Sequence, residues 1–188
     1  MRLRALLLPV AGLCLVAGAA APHYVADPGK STLEFSFTQA GAVNRGHFAR
    51  FPVSFDFDPE QPAAGHLEVT VELGSLDTGD QERDDTLKGS DLFAVKQYPQ
   101  AHYSATQFTK TAAGFEAHGK LTLRNVSRDL TVPFSFRTAT EQGARVAYMN
   151  GKLSLRRLDY GVGQGDWQAT DQVGNEVGIS FALRLLAH

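Results

Sequence analysis

Apolar and polar residues alternate along most of this chain, and this period of two restricts its fold more than any other feature. In residues 67–73 the odd positions are Leu or Val and the even positions are Glu or Thr. Residues 115–123, 132–136 and 177–183 alternate in the same way, with small residues at some of the apolar positions. Because successive side chains of a strand point to opposite faces, this pattern predicts half-buried β-strands.

The number of such segments, with little helix between them, predicts an all-β fold in which one antiparallel sheet closes on an apolar interior. The predicted strands cover residues 31–38, 47–57, 67–73, 101–108, 114–123, 130–137, 145–155 and 177–185. Pro52 predicts a bulge in the second strand, since proline has no N–H to donate. Residues 41–46 are predicted as a turn, and a change of parity along 145–155 predicts a bulge at Gly151.

The alternation stops once, in the charged segment 75–98. Asp80 or Thr78 is positioned to cap a short helix over residues 81–88, and a second helix is predicted over 91–96. A charged segment of this length between strands typically covers a surface rather than forming a slack loop. We therefore expect residues 75–98, which we call the lid, to form a surface cover. Residues 77–88 either line a polar mouth that orients a head group or form a solvated surface helix with ion pairs.

The first residues have the three parts of a secretory signal peptide. Arg2 and Arg4 are basic, residues 6–16 form an apolar run too short to span a bilayer, and small residues follow. We expect residues 1–20 to be removed and residues 21–188 to form a single exported domain. An uncleaved membrane anchor is the alternative for this segment.

Composition argues against several classes of function. Cys14 is the only cysteine and lies in the predicted leader, so the mature chain has no thiol for catalysis or zinc binding. The formal net charge is −2 and no Lys/Arg run occurs, whereas nucleic-acid binding requires clustered cations. No second long apolar run follows the leader, so we expect no stable insertion of the mature protein in a membrane.

Neither a metal site nor a catalytic constellation is predicted. The histidines stand at positions 23, 47, 66, 102, 118 and 188, without the paired spacing of metal ligands. His66 and His102 could still meet across strands. The run Gly161-x-Gly-x-Gly165 lacks the strand-to-helix context of a nucleotide-binding loop, so a turn is expected. Arg83 and the adjacent Asp84 are interpreted as a structural ion pair.

Segments in all parts of the mature chain resemble the YceI family of exported, lipocalin-like barrels. They include Tyr24-Val-Ala-Asp27-Pro28 with Ser31-Thr-Leu-Glu-Phe35, Ser75-Leu-Asp77-Thr78-Gly79, Gly119-Lys-Leu121-Thr122-Leu123 and Arg157-Leu-Asp159-Tyr160-Gly161. No single segment is specific, but their order and spacing across residues 24–185 carry the resemblance. The chain departs from the family pattern at Lys30 and Thr86, near which relatives usually have histidine.

The resemblance implies an eight-stranded antiparallel barrel, extended relative to lipocalins, with a hydrophobic channel and a short helical segment near residues 80–96. It also implies binding of a polyisoprenoid, an isoprenoid quinone or a long-chain fatty amide in the periplasm, and no catalysis. Apart from such a bound lipid or quinone, no cofactor is expected. The expected partner is a hydrophobic long-chain ligand, and a homodimer stays an open alternative.

The predicted inward faces are rich in aromatic residues, and two interpretations are open. The rings either fill the barrel or line a cavity for one guest. Under the second interpretation, which the resemblance favours, the candidate ligand-binding residues are Phe35, Phe37, Phe48, Phe55, Phe57, Val69, Val71, Tyr103, Leu121, Leu123, Phe134, Phe136, Leu153, Tyr160, Trp167, Ile179 and Phe181.

The sequence therefore predicts a periplasmic carrier that sequesters an isoprenoid-type or other long-chain lipid inside a β-barrel. One alternative is a barrel enzyme acting on a lipid or small hydrophobic substrate, which would need an inward-facing polar pair. Another is an outer-membrane barrel, whose apolar face points outward. The charged lid and Pro133 within a strand argue against the membrane barrel.

Overall fold

The computed structural model describes residues 20–188, so almost all of the predicted signal peptide lies outside the described residues. The chain forms eleven β segments and one α-helix. The segments are β1 His23–Ala26, β2 Thr32–Gln39, β3 Ala42–Phe48, β4 Val53–Asp56, β5 His66–Glu72, β6 Leu76–Asp77, β7 Gln100–Thr111, β8 Gly114–Leu123, β9 Val126–Glu141, β10 Ala144–Arg156 and β11 Val173–Ala187, and α1 is Gln81–Lys88. Short 3₁₀ turns lie at Pro62–Ala64, Leu73–Ser75, Arg157–Tyr160 and Gly165–Gln168.

All strand pairs are antiparallel and the sheet closes on itself. The last strand, β11, pairs with β10 on one side and with both β1 and β2 on the other. The segments β1 and β2, β3 and β4, and β5 and β6 are successive parts of three interrupted strands. The result is a closed eight-stranded barrel with one short helix, which confirms the fold class and the helix over residues 81–88.

Two of the interruptions have clear physical causes. Between β1 and β2, the Arg184 guanidinium binds the Asp27 carboxylate at 2.6 Å, and the Arg184 backbone N–H donates to Ser31 Oγ at 3.1 Å. These side-chain contacts replace the missing ladder. Between β3 and β4, regular pairing is interrupted at residues 49–52, where Pro52 has no N–H, although the carbonyls of Arg50 and Pro52 still accept the Glu72 and Thr70 N–H groups at 3.0 and 3.1 Å. The strand predicted over 47–57 is thus interrupted at Pro52, and its parts are β3 and β4.

Two predictions about local backbone at glycines are wrong. Residues 41–46 are not a turn, because β3 already begins at Ala42 after a tight turn in which Ala40 and Gly41 have φ angles of 48° and 78°. Such positive angles match the twist of a two-residue hairpin. Gly151 is not at a bulge, since β10 and β11 keep one register from Val146 to Arg156.

The second predicted helix, over residues 91–96, is also wrong. These residues form turns, and Ala94 has a φ angle of 49° in the left-handed region. A single residue in this conformation breaks the α-helical path. The lid is thus one helix followed by an irregular segment that leads into β7.

The barrel interior is divided into two halves. The half that contains β1 and the C-terminal end of β11 is filled by seven rings, which we call the aromatic plug: Tyr24, Phe55, Phe57, Phe108, Phe115, Phe134 and Phe136. The rings of Phe55 and Phe57 stack with centroids 4.7 Å apart, and Phe136 meets Phe57 edge-on at 5.0 Å. Buried Ala105, Ala117 and Ala147 face the same region. Their small side chains leave the space that the rings occupy, so this end of the barrel is closed.

We expect Phe57→Ala to lower the free energy of unfolding by about 3–5 kcal/mol, because Phe57 is 0% exposed and contacts rings on several strands. Guanidinium unfolding measures the change. Val43→Ala is the control: Val43 is 63% exposed, and its truncation should change stability by less than about 0.5 kcal/mol. A loss below about 1 kcal/mol in Phe57→Ala would contradict a tightly packed plug.

Candidate functional site

A cavity of about 570 Å³ occupies the half of the barrel opposite the aromatic plug. Strands β2, β5, β8, β10 and β11 supply most of its wall, and the lid and the segment 157–173 surround its mouth. Nearly all of the wall is Leu, Val, Ile, Phe or Met. The geometry is that of a deep, mostly apolar pocket with its charged groups near the opening, a common form of site for a small hydrophobic ligand.

Most of the candidate residues from the sequence line this cavity. They are Phe35, Phe37, Phe48, Val69, Val71, Tyr103, Leu121, Leu123, Leu153, Tyr160, Trp167, Ile179 and Phe181. The structure places the other four, Phe55, Phe57, Phe134 and Phe136, in the plug and outside the cavity lining. The inward aromatics therefore fill one half of the barrel and line a cavity in the other.

Sequence reasoning missed several lining residues. Leu33, Leu155 and Val177 lie at apolar positions of strand alternations, so their pattern was sufficient to find them. Leu92 and Phe93 belong to the irregular part of the lid, where no period relates a residue to a face. Only the fold brings these two side chains over the cavity.

Aromatic rings in the wall pack directly on glycines of neighbouring strands. A Cβ at Gly46 would be 2.5 Å from the Phe35 ring, and one at Gly151 would be 2.4 Å from the Phe181 ring. A Cβ at Gly119 would lie 2.8 Å from the Tyr103 ring. Because the glycines have no side chain, the three rings can approach the backbone of the neighbouring strand closely.

Tyr103 places a polar group where the cavity meets the cluster of the aromatic plug. Its hydroxyl donates to the Ala117 carbonyl at 2.9 Å and lies 3.1 Å from the Leu130 carbonyl. Burial raises the pKa of the phenol above its usual value, so the group stays neutral at physiological pH. The deep wall thus presents a hydroxyl that is already hydrogen-bonded, and no charge.

The polar side chains at the mouth come from α1 and its N-cap residue. They are Asp80, Glu82, Arg83 and Thr86. Asp80 caps the helix by accepting the Arg83 backbone N–H at 3.1 Å, and its carboxylate lies 3.5 Å from the Arg83 guanidinium. The cap and the acidic first turn stabilise a helix that is too short to be stable alone.

The prediction of an ion pair between Arg83 and Asp84 is wrong. Asp84 is buried and instead accepts the backbone N–H and the hydroxyl of Thr78, at 2.9 and 2.7 Å. Adjacent helical residues point about 100° apart, so the two side chains diverge. Asp84 fixes the start of α1, and Arg83 is left to face the mouth with Asp80.

The irregular part of the lid is held to the rest of the rim by backbone contacts. The Asp91 carbonyl accepts the N–H groups of Gly163 and Gln164, at 2.9 and 2.8 Å. Arg124, in the β8–β9 turn, donates to the carbonyls of Ser90 and Leu92. These bonds join the lid, the β8–β9 turn and the segment 157–173 into one continuous rim.

The buried Arg157 side chain fixes the segment 157–173 through hydrogen bonds. This side chain is 5% exposed, and burial lowers its pKa from the ordinary value. Its guanidinium donates to the carbonyls of Val162, Trp167, Ala169, Val173 and Gly174 at 2.7–3.3 Å. Five N–H groups meet five carbonyls, so the cation is fully hydrogen-bonded although no carboxylate within residues 20–188 forms an ion pair with it.

The histidines singled out in the sequence lie on the outer wall. His66 Nε2 and His102 Nε2 both contact the Glu68 carboxylate, at 3.1 and 2.7 Å. They meet through a shared acid, and the described residues contain no group of three or more His, Cys, Asp or Glu that could hold a metal ion.

Of the two departures from the family pattern, Thr86 lines the mouth, whereas Lys30 is not in the lining. In residues 20–188 we find no helix with the length and hydropathy needed to cross a membrane.

We expect Gly46→Ala to lower the free energy of unfolding by about 1–3 kcal/mol, because the added methyl group overlaps the Phe35 ring. Phe35→Leu removes the overlapping ring atoms. The double variant should therefore be more stable than the sum of the two single effects predicts, as measured by denaturant unfolding of all four proteins. Strict additivity would contradict the direct contact of the ring with the glycine.

Arg157→Met should accelerate amide hydrogen exchange in residues 161–173 and lower the free energy of unfolding by about 1–3 kcal/mol, since five carbonyls lose their donor. The neighbouring Arg156 is exposed, so Arg156→Met is a matched control with the same change of charge. Equal exchange rates in the two variants would show that Arg157 does not hold this segment.

The chain is similar to known proteins, and the match to one family covers most of its length. A model of the YceI-like domain family matches residues 24–185. The UPF0312 protein YE1254 of Yersinia enterocolitica and a UPF0312 protein of Yersinia pestis are each 37% identical to the chain over 87 residues. Each match covers 46% of this chain and 45% of the relative, so the aligned part spans about half the length of these curated relatives.

Solved structures share the barrel. BcnA of Burkholderia cenocepacia is 32% identical, with a TM-score of 0.77 over 85% of this chain and 98% of that chain. A polyisoprenoid binding domain from Saccharophagus degradans, implicated in plant cell wall breakdown, has a TM-score of 0.65 over 88% of this chain and 98% of that chain, at 14% identity. At that identity the likeness shows the fold alone. Because the family model covers nearly all of the described barrel, the chain belongs to the YceI family.

Proposed function

We propose that this protein binds a single-chain lipid, of isoprenoid type or another long-chain amphiphile, inside the barrel and sequesters or carries it in the periplasm. The observation that carries the proposal is the apolar cavity of about 570 Å³, closed at one end by the aromatic plug and open at the other. The periplasmic location rests on the predicted leader.

Accessible apolar surface is concentrated inside the barrel. Inward residues such as Val69, Leu153 and Ile179 remain half-buried, because they line the cavity. On the outside, Val43 is the one exposed large hydrophobic residue within 20–188. Removing apolar surface from water is favourable. A hydrophobic ligand that enters the cavity is therefore stabilised, because it covers apolar surface that folding leaves accessible.

The expected energetics suit reversible carriage. Each buried methylene contributes about 0.8 kcal/mol relative to water, so a tail with ~15 buried carbons has a gross transfer term on the order of 12 kcal/mol. Relative to a membrane most of this term cancels, since the tail leaves one apolar environment for another. The protein can then take up and release the same lipid at modest net cost.

The mouth suits a polar head group that stays near water. Asp80, Glu82 and Arg83 surround the opening, whereas the deep wall offers only the satisfied hydroxyl of Tyr103. This separation favours an amphiphile with its tail toward the plug and its head beside α1. The relation to the polyisoprenoid binding domain of Saccharophagus degradans, whose fold the chain shares, is consistent with such a ligand.

We propose binding rather than catalysis, and a barrel whose outer face meets water. General acid–base catalysis needs a free titratable group beside the substrate, and the deep wall supplies only Tyr103, whose hydroxyl is engaged.

The outer wall carries polar contacts such as those of His66 and His102 with Glu68. A transmembrane barrel has the opposite arrangement, with its apolar band outside.

Solvent extraction and mass spectrometry of protein purified from its own periplasm should recover a long-chain lipid. Leu153→Glu should abolish recovery, because the carboxylate would stand in the apolar lumen. Ser154→Glu adds the same charge on the next, exposed residue of β10 and should retain the lipid.

Circular dichroism would verify that both variants are folded. Equal lipid recovery from the two variants, or repeated recovery of the unsubstituted protein without any guest, would contradict the proposal. Absence of the protein from the fraction released by osmotic shock would contradict the periplasmic location alone.

A further inference from the structure

A second depression, of about 410 Å³, lies on the outer wall of the barrel over β11 and its neighbours β10 and β2. Its bottom is formed by Ser180 and Ala182 of β11, and its sides are formed by Asn150 and Lys152 of β10 and by Thr32 and Glu34 of β2. None of these six residues lines the interior cavity. The sheet therefore separates this outer groove from the interior.

The strand register produces the groove. Ser180 is paired with Lys152 on one side and with Glu34 on the other, and Ala182 is paired in the same way with Asn150 and Thr32. Directly paired residues point to the same face of a sheet. The middle strand thus presents only a hydroxyl and a methyl group, and longer side chains rise on both sides of it.

The two sides of the groove carry opposite charges. Because neighbouring strands are about 4.8 Å apart and side chains stand roughly perpendicular to a sheet, Lys152 and Glu34 rise about 10 Å from each other. Within residues 20–188 neither of them forms an ion pair. The Glu34 carboxylate accepts a hydrogen bond of 3.3 Å from the Ser180 hydroxyl. Both charges are therefore available to a ligand between them.

Further polar groups border the groove. The Asn150 amide and the Thr32 hydroxyl form no side-chain hydrogen bond with any residue in 20–188, and only the Asn150 carbonyl is engaged, by Ser135. Arg184, the next charged residue along β11, already binds two carboxylates. The side formed by β10 thus offers hydrogen-bond donors from an ammonium and an amide, whereas Glu34 offers a carboxylate on the opposite side.

We propose that the outer groove binds a small zwitterion with a primary ammonium group and a phosphate, the chemistry of phosphoethanolamine. The ammonium donates to Glu34, and the phosphate accepts from Lys152, Asn150 and Thr32. A phosphate has more acceptor oxygens than a carboxylate, which suits three donors. A ligand with both charges engages both sides of the groove, whereas a simple anion or cation leaves one side without a partner. The site is independent of the interior ligand.

Isothermal titration calorimetry with O-phosphoethanolamine tests the site on the purified protein. We expect saturable binding to one site. Ethanolamine and inorganic phosphate should each bind at least about ten-fold more weakly, because each lacks one of the charge-assisted contacts.

Substitutions locate the site. Lys152→Gln and Glu34→Gln should each raise the Kd of phosphoethanolamine by about ten-fold or more. Lys120→Gln is the matched control: it removes the same charge from the outer wall, on β8, where Lys120 binds Asp129 at 2.7 Å. Its Kd should remain within about two-fold of the unsubstituted value.

Exchange of the two charges distinguishes recognition from damage to the wall. Lys152→Glu alone should abolish binding, because two carboxylates then face the phosphate. The double variant Lys152→Glu/Glu34→Lys should recover binding, since a zwitterion can enter the groove in the reverse orientation. Flotation with phosphatidylethanolamine vesicles identifies the source of the ligand: co-flotation indicates a lipid head group, and its absence alongside binding in solution indicates a free metabolite.

Three outcomes would overturn the zwitterion site. They are the absence of saturable binding of phosphoethanolamine, equal affinity for inorganic phosphate, and an equal loss of affinity in Lys152→Gln and Lys120→Gln. Lipid recovery from the interior should be unchanged in Lys152→Gln. Failure of the outer groove is thus distinguishable from failure of the proposed lipid binding.

Discussion

The contact between an aromatic ring and a small residue on a neighbouring strand decides the shape of the interior. Where the small residue is a glycine, as at Gly46 and Gly151, the ring packs on the backbone of the neighbouring strand and a cavity remains in the lumen. In the closed half, alanines such as Ala117 and Ala147 face rings that cross the barrel and pack on one another. An eight-stranded barrel has just enough interior for side chains or one small guest; in this protein side chains fill one half and leave a cavity in the other.

The rim is held by hydrogen bonds to backbone groups rather than by the packing of aromatic rings. Arg157 donates to five carbonyls between Val162 and Gly174, and Asp91 and Arg124 join this region and the β8–β9 turn to the lid. Backbone carbonyls and N–H groups in irregular segments need partners when water is excluded, and here they find them in one another and in two arginines. The mouth is therefore built without a regular sheet, yet it positions α1 and its charges above an apolar lumen.

The strands, the inward faces and the first lid helix could be predicted from the sequence, because a period of two and a capping aspartate are local signals. The division of the interior could not, since Phe35 and Phe55 occupy equivalent positions in their own strands and differ only in their cross-strand neighbours. The same applies to Gly151, whose role depends on Phe181 thirty positions away. Leu92 and Phe93 reach the cavity through left-handed Ala94 and contacts with other segments, which no pattern in the lid itself encodes.

We propose that the open half of the barrel is a dry hollow for one long chain and that it ends at the plug. The decisive measurement is a crystal structure of the protein purified from its own periplasm without delipidation. Continuous tubular density should begin beside α1, run between Leu121 and Ile179, and stop at the aromatic plug. A lumen filled by ordered water or by the rings of Phe35, Phe37 and Phe181 turned inward would contradict it.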